Sequence, residues 1–141
     1  MDNCIFCLLA NGVIPTATVY EDDDFRAILD AAPACPGHTL IIPKQHAENL
    51  FELSPELAAK AMLLAQRLAF VMKKELKPDG LNLIQNNGEA AGQTVMHFHL
   101  HVIPRFEGVG SIPTWGHVDV ADEEKTAICE KLKTAMLAEK E

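Results

Sequence analysis

Residues 97–102 read His-Phe-His-Leu-His-Val, which puts three imidazoles at every second position of one short stretch. In a strand, side chains two apart share a face, so His97, His99 and His101 form one row. Phe98, Leu100 and Val102 then turn to the opposite side, the buried side of a half-covered antiparallel sheet. Such a row supports two chemistries. Two or three imidazoles can hold a catalytic zinc with an open coordination position. Alternatively, one unprotonated ring nitrogen attacks an acyl or phosphoryl centre while its neighbours stabilise the charge that develops. The third reading, histidines merely solvated on an exposed strand, is disfavoured by so strict an alternation.

The loop before this stretch, Gly88-Glu-Ala-Ala-Gly92-Gln93-Thr94, has glycines for close backbone approach. Gln93 and Thr94 can donate hydrogen bonds to a phosphate or a leaving group. It is not a Walker loop, since no Gly-Lys-Ser/Thr follows, and without the histidines an ordinary turn between two strands would be the favoured reading. Cys4 and Cys7 have zinc-ligand spacing and need two more ligands to close a tetrahedral site. Two buried thiols remain an alternative, whereas a redox pair is disfavoured because no βαβ pattern surrounds them. Cys35 and Cys129 have no evident partner. His117 reads as a solvated side chain, Trp115 as a core or dimer contact, and Lys44 and Arg105 as surface charges.

The elements that position these residues follow from pattern and punctuation. Residues 4–10 suit a short helix that Gly12 ends. Strands are expected over 18–21 and 25–29, with Asp22, Asp23 and Asp24 as the turn between them. A third strand is expected over 38–42, between Gly37 and Pro43. Ser54-Pro55-Glu56 is a strong helix start: a capping hydroxyl, a proline in the first turn and an acid at the positive end of the dipole. Leu57, Ala61, Leu64, Ala65, Leu68 and Met72 recur at helical spacing up to the stop at Pro78 to Gly80. Strands over 81–85 and 97–103 and a last helix from about Asp122, with Ile128, Leu132 and Met136 on a buried stripe, complete the set. The expectation is an α+β fold: an antiparallel sheet of about five strands, one long helix and a C-terminal helix, with the helices on one side.

At 141 residues the chain suits one domain, 1–141. Its 12 Lys+Arg against 20 Asp+Glu leave a net charge of −8, which repels polyanions and argues against a nucleic-acid polymer as partner. A small phosphorylated ligand needs only a local patch of donors. No apolar run is long enough to span a membrane, and the N-terminus has no basic region followed by an apolar stretch, so no membrane partner and a cytoplasmic location are expected.

Residues 92–105, G-Q-T-V-M-H-F-H-L-H-V-I-P-R, resemble the signature of the histidine triad (HIT) superfamily, in which three histidines alternate with apolar residues. The resemblance extends to C-I-F-C at the N-terminus, I-P near residue 14, P-G-H-T-L-I-I-P-K-Q-H over 36–46 and the helix after Ser54; it is closest to zinc-bearing bacterial members. It implies a single HIT domain over 1–141, a homodimer with sheets joined edge to edge, and a small-molecule nucleotide substrate. The implied activity is a nucleotide hydrolase or transferase acting on the α-phosphate of adenosine or other purine nucleotide derivatives, such as dinucleoside polyphosphates or nucleoside phosphoramidates, through a nucleotidyl-histidine. His99 is implied as nucleophile, His101 as the bond to the α-phosphate oxygens, and His38 as part of the same site. Asp30 falls where the family binds ribose hydroxyls, and Asn86, Gln93 and Thr94 where it contacts phosphate and leaving group. By the same resemblance His46 and His97 join Cys4 and Cys7 around a structural zinc. Two rival readings stand beside this one: a zinc hydrolase with the histidine row as its metal site, and a non-catalytic nucleotide-binding adaptor.

Overall fold

A computed structural model describes residues 3–139 and divides the chain into two compact units, Met1–Ser111 and Ile112–Glu141. The first holds a five-stranded antiparallel sheet in the order β1-β2-β3-β5-β4. Its elements are α1 (Ile5–Ala10), β1 (Thr18–Glu21), β2 (Phe25–Leu29), β3 (Thr39–Pro43), α2 (Pro55–Glu75), β4 (Gly80–Ile84), a 3-10 turn (Glu89–Ala91) and β5 (Leu100–Arg105). The fold class is the expected α+β.

Local chemistry explains most boundaries. The Asp22 carboxylate accepts the backbone N–H groups of Asp24 and Phe25, both at 2.8 Å, and so closes the β1–β2 turn. Ser54 caps α2 by accepting from the Leu57 N–H at 3.2 Å, and Lys73 and Lys74 sit in the last turn, where the dipole favours them. Lys77, with φ 50°, then turns the chain out ahead of Pro78. The α2 stripe of Ala61, Leu64, Ala65, Leu68 and Met72 packs on Phe25, Ala27, Ile41, Phe98, Leu100 and Val102, which form the main core.

Two expectations are corrected. The last strand starts at Leu100 and not at His97. β3 pairs with β5 as Ile41↔Leu100 and Leu40↔His101, so continuing the ladder would bring Phe98 opposite Pro43, which has no N–H to give. Phe98 instead donates to the Ala47 carbonyl at 2.7 Å, and residues 97–99 leave the sheet. The helices also do not all lie on one side. α1 covers the face opposite α2, where Ala10, Phe6 and Leu9 pack on Ile28, Leu40 and Ile42. The alternation in the histidine stretch survives, but its polar face is roofed by α1 instead of being solvated.

The second unit contains α3 (Asp122–Ala138), whose first turn carries Asp122, Glu123 and Glu124 at the positive end of its dipole. Ile128, Leu132 and Met136 share one stripe as expected but are exposed, since a lone helix has nothing to pack against within its own unit. Among the described residues no helix is long and apolar enough to cross a membrane.

Gly37 sets the approach to β3. Its φ is 96°, and a Cβ there would lie 2.9 Å from Leu76 Cδ1 and 3.0 Å from Pro104 Cγ. Gly37→Ala is therefore expected to lower stability by about 1–3 kcal/mol, whereas Gly80→Ala, with no atom within 4 Å of the added carbon, should stay within about 1 kcal/mol of wild type. Urea unfolding of both variants checks the contrast, and equal losses would contradict it.

Candidate active site and metal centre

The three histidines of the alternating stretch have three different environments. His97, 0 % exposed, is pinned by the Pro43 carbonyl, which lies 2.9 Å from its Nε2. A carbonyl only accepts, so Nε2 carries the proton and Nδ1 is bare. That Nδ1 faces away from the rest of the row. It lies 3.4 Å from the sulfurs of both Cys4 and Cys7 and 3.1 Å from His46 Nδ1, which is itself 3.3 Å from Cys7 Sγ.

These separations test whether a metal fits. Four ligands at ordinary zinc bond lengths sit at tetrahedron corners about 3.5 Å apart for S···N and about 3.3 Å for N···N. The four donor atoms here all lie within 4.8 Å of one another, and the four separations just given, 3.1 to 3.4 Å, are close to those values. Burial, reinforced by the Cys4 sulfur, pushes the Cys7 thiol up to about 11, a cost that a divalent cation offsets by taking the thiolate. Burial also pulls His97 down to about 4, so it is neutral, as a ligand must be. The Pro43 carbonyl supplies the outer hydrogen bond that usually orients a ligating imidazole.

His99 points the other way. Its Nδ1 lies 2.8 Å from the His97 carbonyl, which again can only accept, so in the neutral ring the proton is on Nδ1 and Nε2 keeps a free lone pair. Phe6 of α1 packs edge-to-face on its ring, 4.9 Å between centroids at 85°. His101, the one histidine of the three within β5, lies 5.0 Å from His99.

His38 and His101 form a directed chain. The Ala34 N–H donates to His38 Nδ1 at 3.0 Å, which leaves the His38 proton on Nε2. That Nε2 is 2.9 Å from His101 Nδ1 and 3.4 Å from Asp30 Oδ2. His101 therefore accepts through Nδ1 and carries its own proton on Nε2, as a donor. Burial first, then the neighbouring His99 and His38, pulls His101 down to about 4; burial also lowers His38, against the opposing pull of Asp30. Both rings are neutral near pH 7. Asp30, His38 and His101 also approach closely enough to share a cation. The Ala34 N–H argues for the hydrogen-bonded chain instead, because it keeps the proton on the nitrogen that a cation would need.

His99, His101, Asp30 and Thr94 line one cleft of about 600 Å³, whose apolar wall includes Ile5, Phe6, Leu9, Ile28 and Leu40. The size suits a small organic ligand, with a few polar groups converging on one side of an apolar surface.

Comparison with known proteins bears on this arrangement. Residues 11–108 match the family model described as HIT domain. The chain is 46% identical over 114 residues to the protein hit of Bacillus subtilis, covering 79% of each. The chain belongs to the HIT family. Among solved structures it is similar to a histidine triad nucleotide-binding protein from Candida albicans, at 30% identity and TM-score 0.84, with 96% of this chain and 99% of that one covered. It is also similar to a Zn-bound histidine triad family protein from Mycobacterium smegmatis, at 37% identity and TM-score 0.72, covering 99% of both. Membership supports a nucleotide-directed activity of the hydrolase type.

In this HIT protein the expected residues fall into two groups and two outliers. Cys4, Cys7, His46 and His97 converge, as do His38, His99, His101, Asp30 and Thr94. Gln93 does not present a free donor. It is 2 % exposed; its amide donates to the carbonyls of Glu48 and Val95 at 2.7 and 2.9 Å, and its oxygen accepts from the Gly88 N–H at 2.7 Å. It ties two loops together. Asn86 stands beside Gly92 and does not line the cleft. Lys44 is paired with Glu21, and Arg105 is bound to Asn82 and the Ser111 carbonyl. Sequence reasoning missed the cleft wall; the apolar residues of I-F-C-L-L were its only signal.

The depressed His101 ring fixes a pH dependence. Above pH 6.5 it is neutral in both the folded and the unfolded chain and contributes nothing. As pH falls from 6.5 towards about 4, the unfolded chain takes up the proton first, and the native state loses up to about 1.4 kcal/mol per pH unit. Urea unfolding at pH 7, 6 and 5 should therefore show a shallower decline for His101→Asn than for wild type. Both proteins share the metal cluster, so the difference isolates this ring, and parallel declines would contradict its neutrality.

Proposed function

We propose that the protein is a cytoplasmic nucleotide hydrolase acting on the α-phosphate of adenosine or other purine nucleotide derivatives, among them dinucleoside polyphosphates and nucleoside phosphoramidates. The observation that carries the reading is the bond from His99 Nδ1 to the His97 carbonyl. In the neutral ring it leaves Nε2 bare, which is what attack on phosphorus requires. In the first step the Nε2 lone pair forms a P–N bond as the bond from phosphorus to the leaving group breaks. The leaving group keeps the bonding pair, and an amine takes a proton from solvent. Positive charge on the substituted ring is stabilised by the His97 carbonyl. The His101 N–H, held in place by His38 and Asp30, donates to the phosphate oxygens as their charge grows. In the second step water adds to phosphorus and loses a proton to solvent, the P–N bond breaks, and its electron pair returns to Nε2.

Zinc held by Cys4, Cys7, His46 and His97 would be structural, because four protein ligands leave no open position for substrate. The cytoplasm is the compartment that keeps those thiols reduced. The zinc-hydrolase rival is disfavoured because the row does not converge: His97 turns to the cysteines, while His99 uses one nitrogen on a carbonyl. The adaptor rival shares all of this geometry, and only turnover separates it.

Diadenosine polyphosphates and adenosine phosphoramidates, each incubated with wild type and with His99→Ala, provide the test. Wild type should release mononucleotide from at least one class, His99→Ala should lose on the order of 10³-fold or more in rate, and both should carry one zinc per chain. Loss of zinc together with activity in the variant would favour the metal mechanism. Tight binding of AMP by wild type without turnover of any compound would favour the adaptor.

A further inference from the structure

We propose that the Cys4/Cys7/His46/His97 cluster does more than brace the fold: metal loading forms the nucleotide cleft, because the segment that supplies two of its ligands also supplies the cleft's wall. The inference rests on the reading of that cleft as the nucleotide site.

α1 has only six residues, Ile5–Ala10, far too few to persist as an isolated helix. It holds its place through what its side chains grip. Cys4 caps it, with its sulfur accepting from the Cys7 N–H at 3.4 Å, and Cys7 follows one turn later, so both sulfurs reach the same point beside His46 and His97. Ile5, Phe6 and Leu9, interleaved with those cysteines, line the cleft. Phe6 packs against His99 at 4.9 Å and against the metal-site His97 at 6.1 Å. One short helix therefore faces the ligand cluster with its sulfurs and the substrate with its apolar side chains.

Without a cation the cluster ties α1 to His46 and His97 through thiol–imidazole contacts, among the weakest hydrogen bonds available to side chains. The remaining anchors are the packing of Phe6, Leu9 and Ala10 on the sheet, the Arg26 Nε bond to the Ala10 carbonyl at 3.1 Å, and the Asn11 amide bond to the Lys44 carbonyl at 3.2 Å. The Arg26 and Asn11 bonds hold the C-terminal end of the helix. At the N-terminal end, where Ile5 and Phe6 stand, the sulfurs are the polar anchor beside the packing of Phe6 on the sheet. A cation at the cluster fixes that end, and with it the wall.

Linkage makes the proposal quantitative. If zinc strengthens nucleotide binding by some factor, the nucleotide must strengthen zinc binding by the same factor. The experiment uses the full chain, kept reduced, in zinc-loaded and metal-free forms, with AMP as probe. The AMP Kd is measured by calorimetry in each form, and zinc affinity by competition with a chromophoric chelator, with and without saturating AMP. Removing zinc should weaken AMP by about tenfold or more, AMP should tighten zinc by the same factor, and amide exchange in β2, β3 and α2 should be unchanged. Equal AMP affinity in the two forms would overturn the inference. AMP binding to neither form would instead overturn the nucleotide reading, so the two failures are distinguishable. Should the metal-free chain unfold, zinc-loaded Phe6→Ala decides: a several-fold loss of AMP affinity with a proportionate fall in the AMP-induced gain in zinc affinity supports the coupling, and no change in either overturns it.

Discussion

A hydrogen bond of 2.8 Å from the Nδ1 of His99 to the backbone carbonyl of His97 decides what this site can do. An imidazole has two nitrogens and, when neutral, one proton; placing that proton on Nδ1 leaves the other nitrogen as a nucleophile. The bond exists because residues 97–99 leave the sheet, which they do where the ladder reaches Pro43 and runs out of donors. The same carbonyl of Pro43 then turns the His97 ring towards the cysteines. A proline at the end of one strand thus turns His97 and His99 toward different partners.

The site is built outward from that division. His101 stays within β5 and accepts from His38, whose own tautomer is set by the Ala34 N–H. Every proton in this hydrogen-bonded series has one position, so the donors are arranged before any ligand arrives, as preorganised stabilisation of developing charge requires. Gly37 lets the backbone reach β3 between Leu76 and Pro104, which sets His38 beside His101. Long-range packing beneath, from α2 onto Phe98, Leu100 and Val102, keeps the histidine face in place.

Much of this was legible in the sequence, and what was not shares a physical cause. The hairpin at Asp22, the start of α2 at Ser54 and the alternation over 97–102 depend on neighbours within a few residues, so pattern reveals them. The approach of His38 to His101 joins positions 63 residues apart, and the cysteines meet His97 from about 90 positions away; no local pattern carries those distances, and only the family resemblance pointed to them. Gln93 misled for a related reason. Its donors are real, but they are used by carbonyls of Glu48 and Val95 that only the folded loops bring near. The roof formed by α1 escaped notice because six residues give too short a period to say which face they cover.

Nitrogen-15 NMR of the zinc-loaded protein, with its histidine side chains labelled, observes the His99 ring proton directly. In its neutral form the His99 ring should carry its proton on Nδ1, with Nε2 showing the shift of an unprotonated, unmetallated nitrogen. A neutral His99 ring with its proton on Nε2, or a metal on that nitrogen, would contradict this assignment.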